Sequence, residues 1–84
     1  MLRRLGRALH ISRNRRLILR IDPDSEAPML GETVFDSNLN PVGVVEDIFG
    51  PVVSPYAAIR ARAGDASASI GKPLYAMRGT GKSI

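Results

Sequence analysis

Apolar residues in this chain fall in short runs closed by turn chemistry, and nowhere at the three-to-four spacing of an amphipathic helix. That restricts the fold to one built from strands. Leu17, Leu19 and Ile21 line one side of one run, and Ala57, Ile59 and Ala61 alternate with Ala58, Arg60 and Arg62 in another. Val42 to Phe49 is rich in β-branched residues, and its alternation slips at Glu46-Asp47, where a bulge is expected. Leu5 to Ile11, Thr33 to Phe35 and Leu74 to Met77 complete six strands. Ser12-Arg13-Asn14-Arg15 and Asp36-Ser37-Asn38-Leu39-Asn40-Pro41 carry hairpin chemistry, and Asp22 to Pro28 is too polar and proline-rich for a regular element. Gly64 to Ser69 reads as a flexible loop whose alanines offer a weak argument for a helical turn. Six strands in 84 residues imply an all-β, closed barrel, because closure removes the edges a flat sheet of this size would expose. Residues 1–76 make the single barrel domain, and 77–84 a flexible tail.

Several chemistries are excluded by what is missing. Cysteine is absent, so there is no disulfide or thiolate metal site, and no run reaches the ~18–20 apolar residues of a membrane-spanning helix. The basic start, Met1 to Arg7, lacks the apolar stretch of a signal peptide, so a cytoplasmic protein without membrane contact is expected. No cofactor, metal or catalytic constellation is found. His10 is the one histidine and sits in a strand. Glu46 and Asp47 are neighbours that would point to opposite faces of a regular strand. Asp22, Asp24 and Glu26 surround Pro23 and lack the glycine of a calcium loop. Gly79-Thr80-Gly81-Lys82-Ser83 mimics the end of a phosphate-binding loop, but Ala76 stands where its first glycine belongs and no helix can follow. The expectation is a protein that is not an enzyme.

Charge is distributed unevenly. Of twelve basic residues, Arg3, Arg4, Arg7, Arg13, Arg15, Arg16 and Arg20 lie in the first twenty positions, while all eight acids fall between Asp22 and Asp65. Arg3, Arg4, Arg7, Arg13, Arg15 and Arg16 are therefore the candidates for facing RNA, by backbone contact alone. Base stacking is disfavoured, since Phe35, Phe49, Tyr56 and Tyr75 are scattered over different strands.

The most informative segment is Gly43 to Tyr56. A strand ends in Ile48-Phe49, then Gly50-Pro51 and later Pro55 fix the backbone of the connection that follows. Such a stiff bend either caps the barrel with its apolar residues or leaves some exposed as a preorganised docking patch.

Ile48-Phe49-Gly50-Pro51-Val52, followed two residues later by Pro55-Tyr56, resembles the signature of the GAR-family subunit of H/ACA ribonucleoproteins. The resemblance extends through Leu5-Gly6, His10, Val34-Phe35-Asp36, Val42 to Asp47 and Gly71-Lys72-Pro73-Leu74-Tyr75. It implies a six-stranded barrel of the translation-factor type. It further implies a non-catalytic subunit of a guide-RNA pseudouridylation particle, serving rRNA modification and ribosome biogenesis. Its implied partner is the catalytic domain of a dyskerin-type pseudouridine synthase, where it assists substrate loading and product release with little guide-RNA contact. Ile48, Phe49, Gly50, Pro51, Val52, Pro55 and Tyr56 would shape the docking surface. An exposed patch of this kind also favours self-association of the free subunit. The glycine-arginine-rich tails of eukaryotic members are missing, which fits the archaeal form, and Ala57-Ala58 replace bulkier residues common in the family. Two alternatives compete: a small basic barrel that binds structured RNA directly, and a ribosome-maturation adaptor sharing the Val42-Gly43-Val44-Val45 pattern.

Overall fold

The computed structural model describes residues 2–62 and 66–77. Six antiparallel strands, β1 (Leu2–Ile11), β2 (Leu17–Ile21), β3 (Thr33–Phe35), β4 (Pro41–Phe49), β5 (Tyr56–Ala61) and β6 (Pro73–Met77), close in the order β1-β2-β5-β4-β3-β6. Closure depends on β1, which is long enough to serve two neighbours. Its first part pairs with β6 (Leu2↔Met77, Arg4↔Tyr75) and its second with β2 (Ala8↔Leu19, Ile11↔Leu17). Register shifts between Arg4 and Gly6 and between Ala8 and His10 bend the strand from one partner to the next.

Glycine at position 6 is a steric requirement of that bend. A Cβ there would lie 1.8 Å from the Arg20 carbonyl oxygen of β2, a distance no side chain tolerates. The interior is apolar: Leu5, Leu17, Leu19, Ile21, Val34, Val45, Ile59 and Leu74 are fully enclosed. Among the described residues no polar side chain is buried. Burying one such aliphatic side chain is worth about 1.5–3 kcal/mol, so this set is the main source of stability for a barrel of this size. Ala57 pairs with Leu19 and Ile48 on its two neighbouring strands and is itself part of the core.

The strand expectations hold with instructive differences. β1 begins at Leu2 rather than Leu5, because its arginines mask a segment that is defined by backbone pairing to β6. The bulge expected at Glu46-Asp47 is present as a register shift between Val45 and Asp47. Both hairpins form: the Ser12 amide donates to the Arg16 carbonyl at 2.8 Å, and the Asp36 amide to the Asn40 carbonyl at 3.0 Å. The Asp36 carboxylate accepts from the amides of Asn38 and Asn40, the local bonding that makes this residue a turn former. Of the expected loop at Gly64 to Ser69, residues 66–69 instead form a 3₁₀ helix, and residues 63–65 lie outside the described ones. That turn is tied down just after it ends. The Gly71 amide donates to the Ala8 carbonyl at 2.7 Å, and the Ala8 amide to the Lys72 carbonyl at 3.1 Å. Met77 closes β6, one residue beyond the expected end of the barrel, and the tail from 78 onward lies outside the described residues.

Candidate functional site

β5 joins two chemically opposite ends of the barrel. At one end it begins with Tyr56, which pairs with Phe49 at the end of β4. Between them runs the proline-bracketed connection. Gly50 has a φ of 94°, a left-handed conformation that glycine adopts without strain. A Cβ at that position would also lie 2.8 Å from the Tyr56 ring. The Ser54 amide donates to the Pro51 carbonyl at 3.3 Å, closing a turn. The connection is anchored to β2 twice: the Ile21 amide donates to the Pro55 carbonyl at 2.9 Å, and the Ser54 hydroxyl to the Ile21 carbonyl at 3.3 Å. Backbone constraint and anchoring together make this a stiff loop.

Its apolar side chains divide between inside and outside. Ile48 packs against the core and supports the loop from beneath. Phe49 stacks on Tyr56 with ring centroids 5.7 Å apart yet remains 43% exposed. Val52 is 95% and Val53 77% exposed. Gly50 and Pro51 are exposed, and Pro55 and Tyr56 half-buried. Of the seven residues nominated from the sequence, Phe49, Gly50, Pro51 and Val52 thus present an outward surface, with Pro55, Tyr56 and Ile48 behind it. Val53 joins that surface, although the resemblance did not single it out.

The nominated arginines do not form one patch. Arg3 donates to the Glu26 carbonyl at 2.9 Å, and Arg4 to the Asp22 carboxylate at 2.9 Å. Both hold the connection between β2 and β3 against β1, which gives their positions a structural explanation. Arg16 pairs with Glu46. Arg7, Arg13 and Arg15 are exposed, and their side chains make no hydrogen bond or ion pair among the described residues.

Arg15 and Arg16 meet Arg60 and Arg62 at the far end of β5. With Ile11, Ala61, Ala66 and Ser67 they line a partly open cleft of about 430 Å³. The β2–β5 ladder explains the meeting. It ends at the pair Leu17↔Ile59, which leaves Arg16, next before β2, and Arg60, next after Ile59, at the same end of the barrel. Glu46, the bulged residue of β4, is the counter-charge. Its carboxyl is held below the usual carboxylate range, chiefly by the hydrogen bond from Arg16; the charges of Arg16 and Arg60 add to this and partial desolvation opposes it.

The remaining polar residues form no group of three or more metal-ligating side chains among the described ones. His10 is exposed on β1. The bulge does place both Glu46 and Asp47 at the surface, but Glu46 is committed to Arg16, and the Asp47 carboxylate accepts from the Ile48 amide at 2.9 Å. Asp22 is engaged by Arg4.

Fold and surface together define a small closed barrel with a rigid apolar loop at one end and an arginine-lined cleft at the other. Residues 2–81 match the family described as the Gar1/Naf1 RNA binding region, nearly the whole chain. The chain belongs to that family. It is also 41% identical, over 56 residues and 67% of its length, to an uncharacterized protein of Methanothermobacter thermautotrophicus. The matched segment spans 58% of that relative.

Proposed function

We propose that this protein is a non-catalytic subunit of an H/ACA guide-RNA pseudouridylation particle that docks, through the loop from Phe49 to Tyr56, onto the catalytic domain of a dyskerin-type pseudouridine synthase. The observation that carries the reading is the outward placement of Phe49, Val52 and Val53 on a backbone already fixed by Gly50, Pro51, Pro55 and two anchoring bonds to Ile21. An aqueous surface gains nothing from stiff exposed apolar groups, whereas a partner that covers them gains their desolvation at little conformational cost. Docking of this kind would let the subunit assist substrate RNA loading and product release. Without the synthase, the same surface favours self-association.

The test is a binding titration of purified synthase against the native chain and against Phe49→Ala and Val52→Asp. Both side chains are exposed enough for the barrel to survive, which circular dichroism checks. Weakened binding by both folded variants is expected, together with slower multiple-turnover pseudouridylation and an unchanged single-turnover rate. Native affinity in both variants would remove the docking role.

A further inference from the structure

We infer that the cleft formed by Arg15, Arg16, Arg60 and Arg62 is a phosphate-binding site for the backbone of RNA, separate from the docking loop. The inference rests on the reading of the chain as a component of an RNA-containing particle. Family membership names RNA but no residue, and the loop at the opposite end is apolar.

Three observations point to an anionic ligand. The first is unbalanced charge. Arg16, just before β2, and Arg60 of β5 line the same cleft and both act on the Glu46 carboxylate, an arrangement that is repulsive unless a counter-ion intervenes. Among the described residues, Glu46 provides one negative charge, bonded to Arg16, against four guanidinium groups. The guanidinium groups of Arg15, Arg60 and Arg62 make no ion pair or side-chain hydrogen bond among the described residues, and Arg60 acts on Glu46 only through its charge. A phosphodiester entering the cleft would supply the missing charge, and guanidinium is suited to it because its planar donors match phosphate oxygens in pairs.

The second is local backbone strain. Arg15 has a φ of 64°, a left-handed conformation that is uncommon for a long side chain and would suit Asn or Gly better. Asn14 stands immediately before it, yet the turn places Arg15 in the strained position and thereby at the rim of the cleft.

The third is shape. An opening of about 430 Å³ with Ile11 and Ala61 beside the arginines offers apolar surface to a sugar face as well as charge to phosphate. Among the described residues no aromatic lines it, so it can hold a backbone without stacking bases and without reading sequence. Tyr56 and Ala61 stand at opposite ends of β5, a separation of about 17 Å at roughly 3.3 Å per residue, so both ends can be occupied together.

Fluorescence anisotropy of a labelled mixed-sequence oligoribonucleotide, titrated with the full chain at several salt concentrations, tests this. The Arg60→Gln/Arg62→Gln double variant is expected to bind about tenfold more weakly, and its log–log salt slope to be shallower by about 1.4, or roughly 0.7 per lost contact on a single strand. Arg15→Gly, which relieves the left-handed strain and so keeps the hairpin, should shift affinity in the same direction. Lys72→Gln, at an exposed cation that lines a different cavity, should bind as the native chain does. Native-like RNA binding by both cleft variants overturns the inference. So does displacement of the RNA by polyglutamate at equal charge, which would mark an acidic protein as the ligand, or by a mononucleotide at equal phosphate, which would mark a small anion. The same double variant is assayed for synthase binding. Retained docking with unchanged RNA binding sinks the cleft alone, whereas lost docking in the loop variants bears only on the proposed function.

Discussion

The two ends of this barrel are made ready by different means. The loop from Phe49 to Tyr56 is set by backbone: a left-handed glycine, two prolines, and hydrogen bonds that hold Ser54 and Pro55 to Ile21. The cleft is set by side-chain charge: four arginines gathered by the β2–β5 register and one glutamate that orients Arg16. An apolar surface on a rigid frame gains affinity by desolvation and is insensitive to salt. A cluster of arginines gains it through charge, which salt screens. One small closed core therefore carries two surfaces that respond to different conditions. Because strand β5 links them without a polar residue in the interior, they should behave independently as long as the barrel is intact.

The largest effect should come from removing that shared frame. Gly6→Ala drives a methyl group into the Arg20 carbonyl and should cost about 3 kcal/mol or more. Thermal unfolding should then show a severe loss of stability, and both surfaces should fail together. Loss of one surface alone would mean that the ends do not depend on a common barrel. Next in size is Phe49→Ala, expected to weaken synthase binding by about 2 kcal/mol, near thirtyfold, with no change in RNA affinity. Gly50→Ala should act on the same end through the backbone. Left-handed strain of roughly 1–2 kcal/mol and contact with the Tyr56 ring should lower the melting temperature by several degrees and loosen docking, again without touching RNA binding.

Salt separates the ends without mutation. Between 50 and 200 mM, two to three phosphate contacts predict RNA affinity falling by about tenfold, while synthase docking should change less than twofold. Glu46→Gln is the finest probe. The native carboxyl titrates below its ordinary range, so its stabilising effect is complete above the unfolded pKa and disappears as pH falls through the lowered folded value. The small difference in melting temperature between native chain and variant should accordingly vanish in acid. At neutral pH the variant should bind RNA slightly more tightly, because Arg16 is released.

How much of this could be read in advance follows from where each feature is encoded. Strands β2, β3 and β5 were legible because their runs are short, apolar and closed by strong turn residues, and the slip at Glu46-Asp47 betrayed the bulge. The start of β1 was hidden, since Leu2 to Arg4 pairs through its backbone while its side chains read as a basic tail. The stiff apolar loop could be located because glycine and proline encode its shape locally. Its division into Ile48 inside and Val52 and Val53 outside could not, because that is decided by the curvature of the closed barrel. The cleft was invisible for a related reason. Arg60 and Arg62 are distant from Arg15 and Arg16 in sequence, and only the β2–β5 register brings them together. Counting arginines in the first twenty positions included Arg3 and Arg4, which tie down a loop, and passed over the pair on β5 and just beyond it.

Amide hydrogen exchange on the assembled complex examines the two-ended barrel most directly. Adding synthase to the full chain should protect amides between Phe49 and Tyr56, above all the exposed Val52 and Val53, while the hairpin bearing Arg15 and Arg16 exchanges as before. Protection confined to that hairpin and to Arg60 and Arg62, with the loop exchanging freely, would contradict the assignment of protein docking to the apolar end.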